Sequence, residues 1–428
     1  MKKLSATATA IVCLFLFLSS LAFAQEQTTK PGFHPYISLS EEYNDNINLT
    51  STNKKDDFIT TVTPGLKYIN SDAVSGVDLD FNLGFVSYAK ESQNNYISVN
   101  GSLNAKYLTR EHVNFYLRDT ITRSENPREL EPLTTAAQNQ YVVSTQNNRE
   151  VYWRNVLAPT IEYQFGAENR LGLNYRNNIY RTDSATSENS QENYINPFID
   201  YWFDQRNGLH LEYGYTKGDF ERSPDMTGHM GNIRYTNRFT PKAAVFGEYT
   251  FTRREFSESN PPKINYDIHE PSVGMTYTFS PTWNASAQIG YFWKEPDSGS
   301  TIGGYTYKAS IVNRDVRTTY VVSLQGGYYE DYFTSENLGF SRYHRLTGSI
   351  THFLEKRTSI GFAGNIERVN YTSQDREDWI WGAVGTLSHT PLKWLTLALE
   401  VSHREDNSNI DTNDYTENRV MIRISATY

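Results

Sequence analysis

One cysteine, Cys13, occurs in the whole sequence, and it lies within the first 24 residues. Those residues open on the positive "MKK", continue through the apolar "AIVCLFLFLSSLAFA", and end on the small-x-small triplet Ala22-Phe23-Ala24 before Gln25. The pattern is that of a secretory signal peptide, which divides the chain into a leader at 1–24 and a remainder at 25–428. The apolar run is about 13 residues, short of the roughly 18 needed for a spanning helix. Cys13 lacks the small-residue context that a lipid-anchor cysteine has before its cleavage point. Past residue 24 there is no cysteine at all, which excludes disulfides and thiolate metal sites.

Other absences narrow the class further. No apolar segment after the leader is long enough for a membrane helix. A basic surplus is missing: Lys+Arg is 40 against Asp+Glu 49, a net charge of −9, and loss of Lys2 and Lys3 with the leader makes the rest more acidic. That balance argues against a nucleic-acid partner. Helical periodicity is absent, as are linkers and composition breaks, so residues 25–428 read as one domain. No Gly-x-Ser-x-Gly elbow appears, and the nine histidines are scattered without metal spacing. His210 and Glu212 share a strand face, which reads as polar wall. Neither an enzyme nor a cofactor site is expected. The Asp/Asn-rich "DNSNIDTNDYTEN" could take divalent cations or lipopolysaccharide, but it lacks the spacing of a calcium loop.

What is abundant is aromatic residues, 31 Tyr and 22 Phe, which suits pleated strands and not a disordered chain. Alternation runs through the sequence. In "GVDLDFNLGFVSYA" (76–89), Val77, Leu79, Phe81, Leu83 and Phe85 fall on one face, and Asp78, Asp80 and Asn82 on the other. Leu395, Leu397, Leu399 and Val401 alternate in the same way with Thr396, Ala398, Glu400 and Ser402. Short turn signals recur, mostly about 33–42 residues apart: "INSDAVSG", "LTREH", "FGAENR", "FDQRNG", "FTPKAA", "FSPTWN", "VNRDVR", "LEKRTS" and "HTPLKW". Between them lie longer polar loops such as "EEYNDNINLTSTNKKDD" and "SENPRELEPLTTAAQNQYVVSTQNN".

Ten hairpins, or about twenty strands (eighteen if an end strand is misread), follow from this count. One sandwich core is a poor home for so many apolar faces. A closed barrel satisfies every backbone group and turns its apolar face to lipid. The fold class expected is therefore all-β: a transmembrane, antiparallel, up-and-down barrel with short turns at one end and long loops at the other. Trp202, Trp283 and Trp394 beside short turns, and Trp153, Trp293, Trp379 and Trp381 near the loops, predict two interfacial girdles. Tyr88, Tyr180, Tyr215, Tyr249, Tyr291, Tyr328, Tyr329 and Tyr371 would mostly join the outer one. Pro64, Pro159, Pro197 and Pro271, in Pro-x-aliphatic-x-Tyr or a stretched relative of it, are expected to face outward at a recurrent bulge.

The same register points a set of charges into the lumen. The basic ones are Lys67, Lys106, Arg118, Arg176, Arg234, Arg238, Arg345 and Arg423. The acidic ones are Asp78, Asp80, Glu162, Asp200, Glu212, Glu248, Glu367 and Glu400. Signs mostly alternate between neighbouring strands, which either braces the wall or makes a near-neutral conduit of weak ion selectivity for neutral or mildly charged cargo. A barrel this wide is not filled by wall side chains. The residues before the first strand are too few for a plug, so the Ser124–Asn148 loop is the candidate constriction.

The last residues, "RVMIRISATY", alternate and end on an aromatic. This resembles the assembly signal of Gram-negative outer-membrane barrels, implying the outer membrane, its lipid and lipopolysaccharide, and the barrel-assembly machinery reached through the strand ending at Tyr428. "PYISLSEEYNDNINLT" near residue 35 and the Pro-x-aliphatic-x-Tyr strands are similar to outer-membrane β-barrel (porin-like) proteins associated with exopolysaccharide biosynthesis and export systems. The resemblance implies a channel for a secreted polysaccharide with a periplasmic export partner on another polypeptide. The balanced lumen departs from exporters of strongly acidic polymers. A general diffusion porin for small hydrophilic solutes is the alternative. An outer-membrane enzyme or adhesin would need a residue cluster at the loop end that the sequence does not display.

Overall fold

Strict alternation over 12 to 17 residues at a time builds long strands, and the short turns make each one antiparallel to the next. The computed structural model describes residues 31–428 except 127–130, 133–140, 143–148, 260–261, 335–336 and 373–374. Twenty strands form a single sheet. In chain order they are β1 (Gly32–Asn44), β2 (Asp57–Ser71), β3 (Ser75–Tyr88), β4 (Tyr96–Leu108) and β5 (Val113–Ser124). Then come β6 (Tyr152–Gln164), β7 (Arg170–Thr182), β8 (Ser190–Trp202), β9 (Asn207–Phe220) and β10 (Met226–Thr240). After these follow β11 (Ala243–Phe256), β12 (Tyr266–Ser280), β13 (Trp283–Pro296), β14 (Ile302–Arg314) and β15 (Thr318–Asp331). The last are β16 (Gly339–Glu355), β17 (Thr358–Tyr371), β18 (Arg376–Leu392), β19 (Leu395–Ser408) and β20 (Tyr415–Thr427). Every strand pairs with its neighbours in sequence, and β1 pairs with β20 from Tyr36↔Thr427 to Asn44↔Arg419. The sheet is thus closed: an up-and-down barrel without an edge.

The short turns fall where the turn residues are. Asp72 accepts the backbone N–H groups of Val74 and Ser75 at 2.7 and 2.6 Å, and Asp204 those of Arg206 and Asn207 at 2.6 and 2.8 Å. Each is an Asx-type turn. These donors favour the charged carboxylate and hold Asp72 below its usual range; Asp204 is lowered in the same way, first by the Asn207 side chain. Register shifts sit beside four of the turns, at Asn237/Thr240, Thr278/Ser280, Phe353/Glu355 and His389/Leu392.

The faces of β3 answer which side is inside. Phe81 and Phe85 lie exposed on the outer surface, whereas Asp80 accepts a 2.7 Å hydrogen bond from Tyr36 across the wall. Leu66, Ile161, Leu173, Ile233, Val273, Ile289, Val322 and Ile366 repeat that outward exposure around the barrel. A largely apolar exterior, interrupted by polar groups such as Asp119, which accepts from Asn155 at 2.7 Å, around a polar interior is the arrangement for strands in a bilayer.

The four prolines also lie on the outer face, but not at bulges. Flanking pairs Val62↔Phe85 and Gly65↔Asn82 around Pro64 keep one register, as do Leu157↔Asn177 and Thr160↔Asn174 around Pro159, Ile195↔Tyr215 and Phe198↔Glu212 around Pro197, and His269↔Trp293 and Ser272↔Gly290 around Pro271. The missing N–H interrupts the ladder on one side only, because each proline still pairs with the strand on its other side.

The barrel seam is stapled by the segment around residue 45. The Asn44 side chain donates to Glu417 at 2.6 Å, and Asn46 donates to the carbonyls of Thr50 and Thr416 at 2.8 and 3.0 Å. Ile47 is fully buried against Ile59, Val86 and Tyr88. Residues 1–24 and most of Ser124–Asn148 lie outside the described residues.

Candidate functional site: the lumen

Side chains of even number on β3–β14, and of odd number on β2, β17 and β20, point into the lumen. An interior cavity of about 1260 Å³ runs from Ser71 and Gly76 at the short-turn end to Tyr332, Phe333 and Thr334 beyond β15. A second cavity of about 400 Å³ opens at the short-turn mouth around Arg170, Asp200 and Trp202, and Glu212 lines both.

The charges read from the sequence meet partners in three ways. Some pair as neighbours: Lys67 with Asp78 at 4.0 Å, Arg345 with Glu367 at 2.9 and 2.8 Å, and Arg234 with Glu248. Others are held by groups the sequence reading passed over. Arg170 takes both Glu162 at 3.1 Å and Asp200 at 2.6 Å; Glu192 takes Arg176 at 2.9 and 2.5 Å; Arg419 takes Glu400 at 3.1 Å; Glu168 in a short turn takes Arg238 at 2.8 and 2.6 Å. That guanidinium holds the Glu168 carboxyl below its usual range. Glu212 faces His210, whose Nε2 is 3.6 Å away and whose Nδ1 is 2.7 Å from Asp200. The third group stands apart: Lys106 and Arg118 line the cavity without a hydrogen bond or ion pair among the described residues, and Arg423 touches only the Met421 sulfur at 3.5 Å.

The far wall is filled. Phe292, Ile268, Met226, Tyr266, Tyr332 and Phe340 form a buried cluster, with Phe220, Phe256, Tyr328 and Phe333 packed on it. Its polar core is one network. Arg254 makes a bidentate pair with Glu330 at 3.0 and 2.7 Å, Tyr266 donates to Glu330 at 2.7 Å, and the Tyr266 and Tyr332 hydroxyls are 2.7 Å apart. Phe333 reaches from beyond β15 to stack on Phe220 of β9 with centroids 5.3 Å apart. Here the lumen is narrowed by residues after β15, whereas the sequence pointed to Ser124–Asn148, most of which lies outside the described residues.

Aromatic placement differs from expectation in two respects. Tyr88, Tyr180, Tyr328, Tyr329 and Tyr371 turn inward, while Tyr215, Tyr249 and Tyr291 face out. Trp202 is a lumen residue and not part of the girdle, with the Arg238 guanidinium 3.5 Å from its ring centroid. Parity could have told both, since residues 180 and 202 share the face of Arg176 and Asp200. The histidines are less scattered than they look. His229, His269 and His344 lie on the outer face, each Nδ1 within 2.6–2.7 Å of a tyrosine hydroxyl (Tyr213, Tyr249 and Tyr307). Among the described residues, no cluster of three or more His, Cys, Asp or Glu is placed to hold a metal ion.

With this geometry in view, comparisons fix the architecture. A family model described as "Putative beta-barrel porin 2" matches residues 219–428, from the end of β9 to the last residue. Over those residues the chain is similar to that porin family. No curated protein matches the sequence. Among solved structures, the siderophore receptor PirA from Pseudomonas aeruginosa superposes with a TM-score of 0.53 at 8% identity, covering 94% of this chain and 81% of that one. The ferric citrate transporter FecA in its unliganded form gives 0.50 at 11% identity, covering 94% and 79%. At these identities the likeness speaks for the fold, that of outer-membrane barrels, and not for a cargo.

Proposed function

We propose that this protein is a channel of the Gram-negative outer membrane that passes a secreted exopolysaccharide. The observation that carries the reading is the lumen cavity lined at one end by Ser71 and at the other by Tyr332–Thr334, with the smaller cavity at the short-turn mouth sharing Glu212 with it along β8 and β9. Its wall suits a saccharide. Along β8 the lumen face reads Tyr194, Asn196, Phe198, Asp200, Trp202, an alternation of ring and polar group that sets the rings about 13 Å apart. Each ring is faced by an arginine: Arg176 at 4.8 Å from Tyr194, Arg170 at 5.3 Å from Phe198 and Arg238 at 3.5 Å from Trp202. Sugar rings have apolar faces and hydroxyl edges, and this wall offers partners for both. The resemblance carried by "PYISLSEEYNDNINLT" adds the polysaccharide system, a periplasmic export partner, and assembly through the strand ending at Tyr428.

The aromatic filling behind Tyr332 favours a second reading, a diffusion porin for small hydrophilic solutes, because it leaves a narrow path. Polysaccharide measured in the medium and periplasm after gene deletion separates the two. Loss from the medium with build-up or arrest behind the outer membrane is expected. Unchanged secretion with reduced uptake of small solutes would overturn export and leave the porin.

A further inference from the structure

The lumen charges balance in number but not in place. Arg118 stands opposite Asn104 on β4, and Lys106 stands opposite Tyr116 on β5. The two cations are therefore diagonal neighbours on one face of adjacent strands, a placement that is unfavourable for like charges unless an anion shares them. Of the carboxylates around them, Asp78 is engaged by Lys67, Glu162 by Arg170 and Glu192 by Arg176, while Asp72, held by the donors of its own turn, feels the Lys106 charge without forming an ion pair with it. Arg118 faces Ala158 on its other side, so among the described residues no neighbouring strand offers the guanidinium a polar side chain there. Neutral polar groups surround the pair in the same cavity. Asn104 lies between the two strands' cations, and Thr160 donates to Asn174 at 2.8 Å just beyond Ala158.

We propose that Lys106 and Arg118 form a carboxylate-binding subsite in the lumen, and that the cargo carries a uronic-acid-type saccharide unit. The carboxylate sits between the ammonium and the guanidinium, each contact charge-assisted. Tyr116 offers a ring face, and Asn104 and Asn174 offer amides to the sugar hydroxyls. This subsite makes the channel selective in one place while the wall as a whole stays near neutral. The inference rests on the channel reading for its biological meaning, but its chemistry is tested independently.

The full chain, folded in detergent and reconstituted in planar bilayers, is probed with trigalacturonate and with neutral maltotriose. Trigalacturonate is expected to interrupt the current at a concentration at least tenfold lower than maltotriose. Lys106→Gln and Arg118→Gln should each raise the half-blocking trigalacturonate concentration about tenfold and leave maltotriose unchanged. Lys308→Gln, which removes a lumen cation from another wall, should change neither. Equal block by the two sugars, or an equal loss in Lys308→Gln, would overturn the subsite while leaving the channel standing. If the barrel carries no current, the channel reading fails, and trigalacturonate binding to the detergent-folded protein then decides the subsite. Binding lost in both variants upholds it, and no binding overturns it.

Discussion

The two walls of the lumen are made by the same alternation and end up unlike each other. On β2–β8 polar and charged inward residues such as Asn104, Lys106, Arg118, Thr160, Asn174 and Arg176 are interspersed with rings such as Tyr116 and Tyr194 and with Ala158 and Gly172, and a cavity of about 1260 Å³ stays open. On β10–β16 they include Met226, Ile268, Tyr266, Phe292 and Phe340, and these meet Tyr332 and Phe333 to fill the space. Period two decides which side chains point inward; their volume and polarity decide whether that side is a path or a packed core. The filled wall then needs its polar atoms satisfied, which the Arg254–Glu330–Tyr266–Tyr332 network does. The open wall can leave cations solvated.

The strongest way to break this contrast is to empty the filled wall. Tyr332→Ala with Phe333→Ala removes the rings that span toward Phe220, and single-channel conductance is expected to rise several-fold. Unchanged conductance would mean that the path does not pass this cluster. Next in size is the buried pair Arg345–Glu367, whose side chains are only 5% and 7% exposed. Glu367→Gln strands a buried guanidinium and should lower stability by about 3–5 kcal/mol, read from urea unfolding into lipid vesicles. Removing an exposed pair of the open wall, as in Lys67→Gln beside Asp78, should cost under about 1 kcal/mol by the same assay. Pro159→Val restores a backbone donor to the ladder between β6 and β7 and should shift stability upward by about 1 kcal/mol or less. Smallest of all, His269→Phe on the lipid face should change stability by no more than about 0.5 kcal/mol and leave conductance alone.

Much of the barrel was legible because lipid and water impose a two-residue period on every strand. The short turns between strands each carry a turn signal, and the inward parity of Asp78, Asp80, Arg176 and Glu400 follows from the apolar residues beside them. Which charges meet was less legible. Pairing depends on strand stagger, which alternation does not encode, so Arg176 reaches Glu192 and not Asp200, and Glu400 reaches Arg419 and not Arg423. The filled wall was hidden for another reason. Tyr332 and Phe333 follow the last residue of β15, in a segment that looks like a polar loop, and nothing local says that it turns inward to Tyr266. The proline expectation erred in assuming that a missing donor needs an extra residue; a ladder can skip one bond and keep its register.

The absence of cysteine beyond Cys13 makes the most direct test clean. Single cysteines at Thr160 and Asn174 on the open wall, Phe292 on the filled wall and Leu173 on the lipid face would be treated, in the reconstituted channel, with a charged, membrane-impermeant thiol reagent while current is recorded. Fast reaction with loss of current at Thr160→Cys and Asn174→Cys, and none at Phe292→Cys or Leu173→Cys, is the expected result. Reaction at Leu173→Cys, or equal rates on the two lumen walls, would contradict the account of an apolar exterior around a one-sided path.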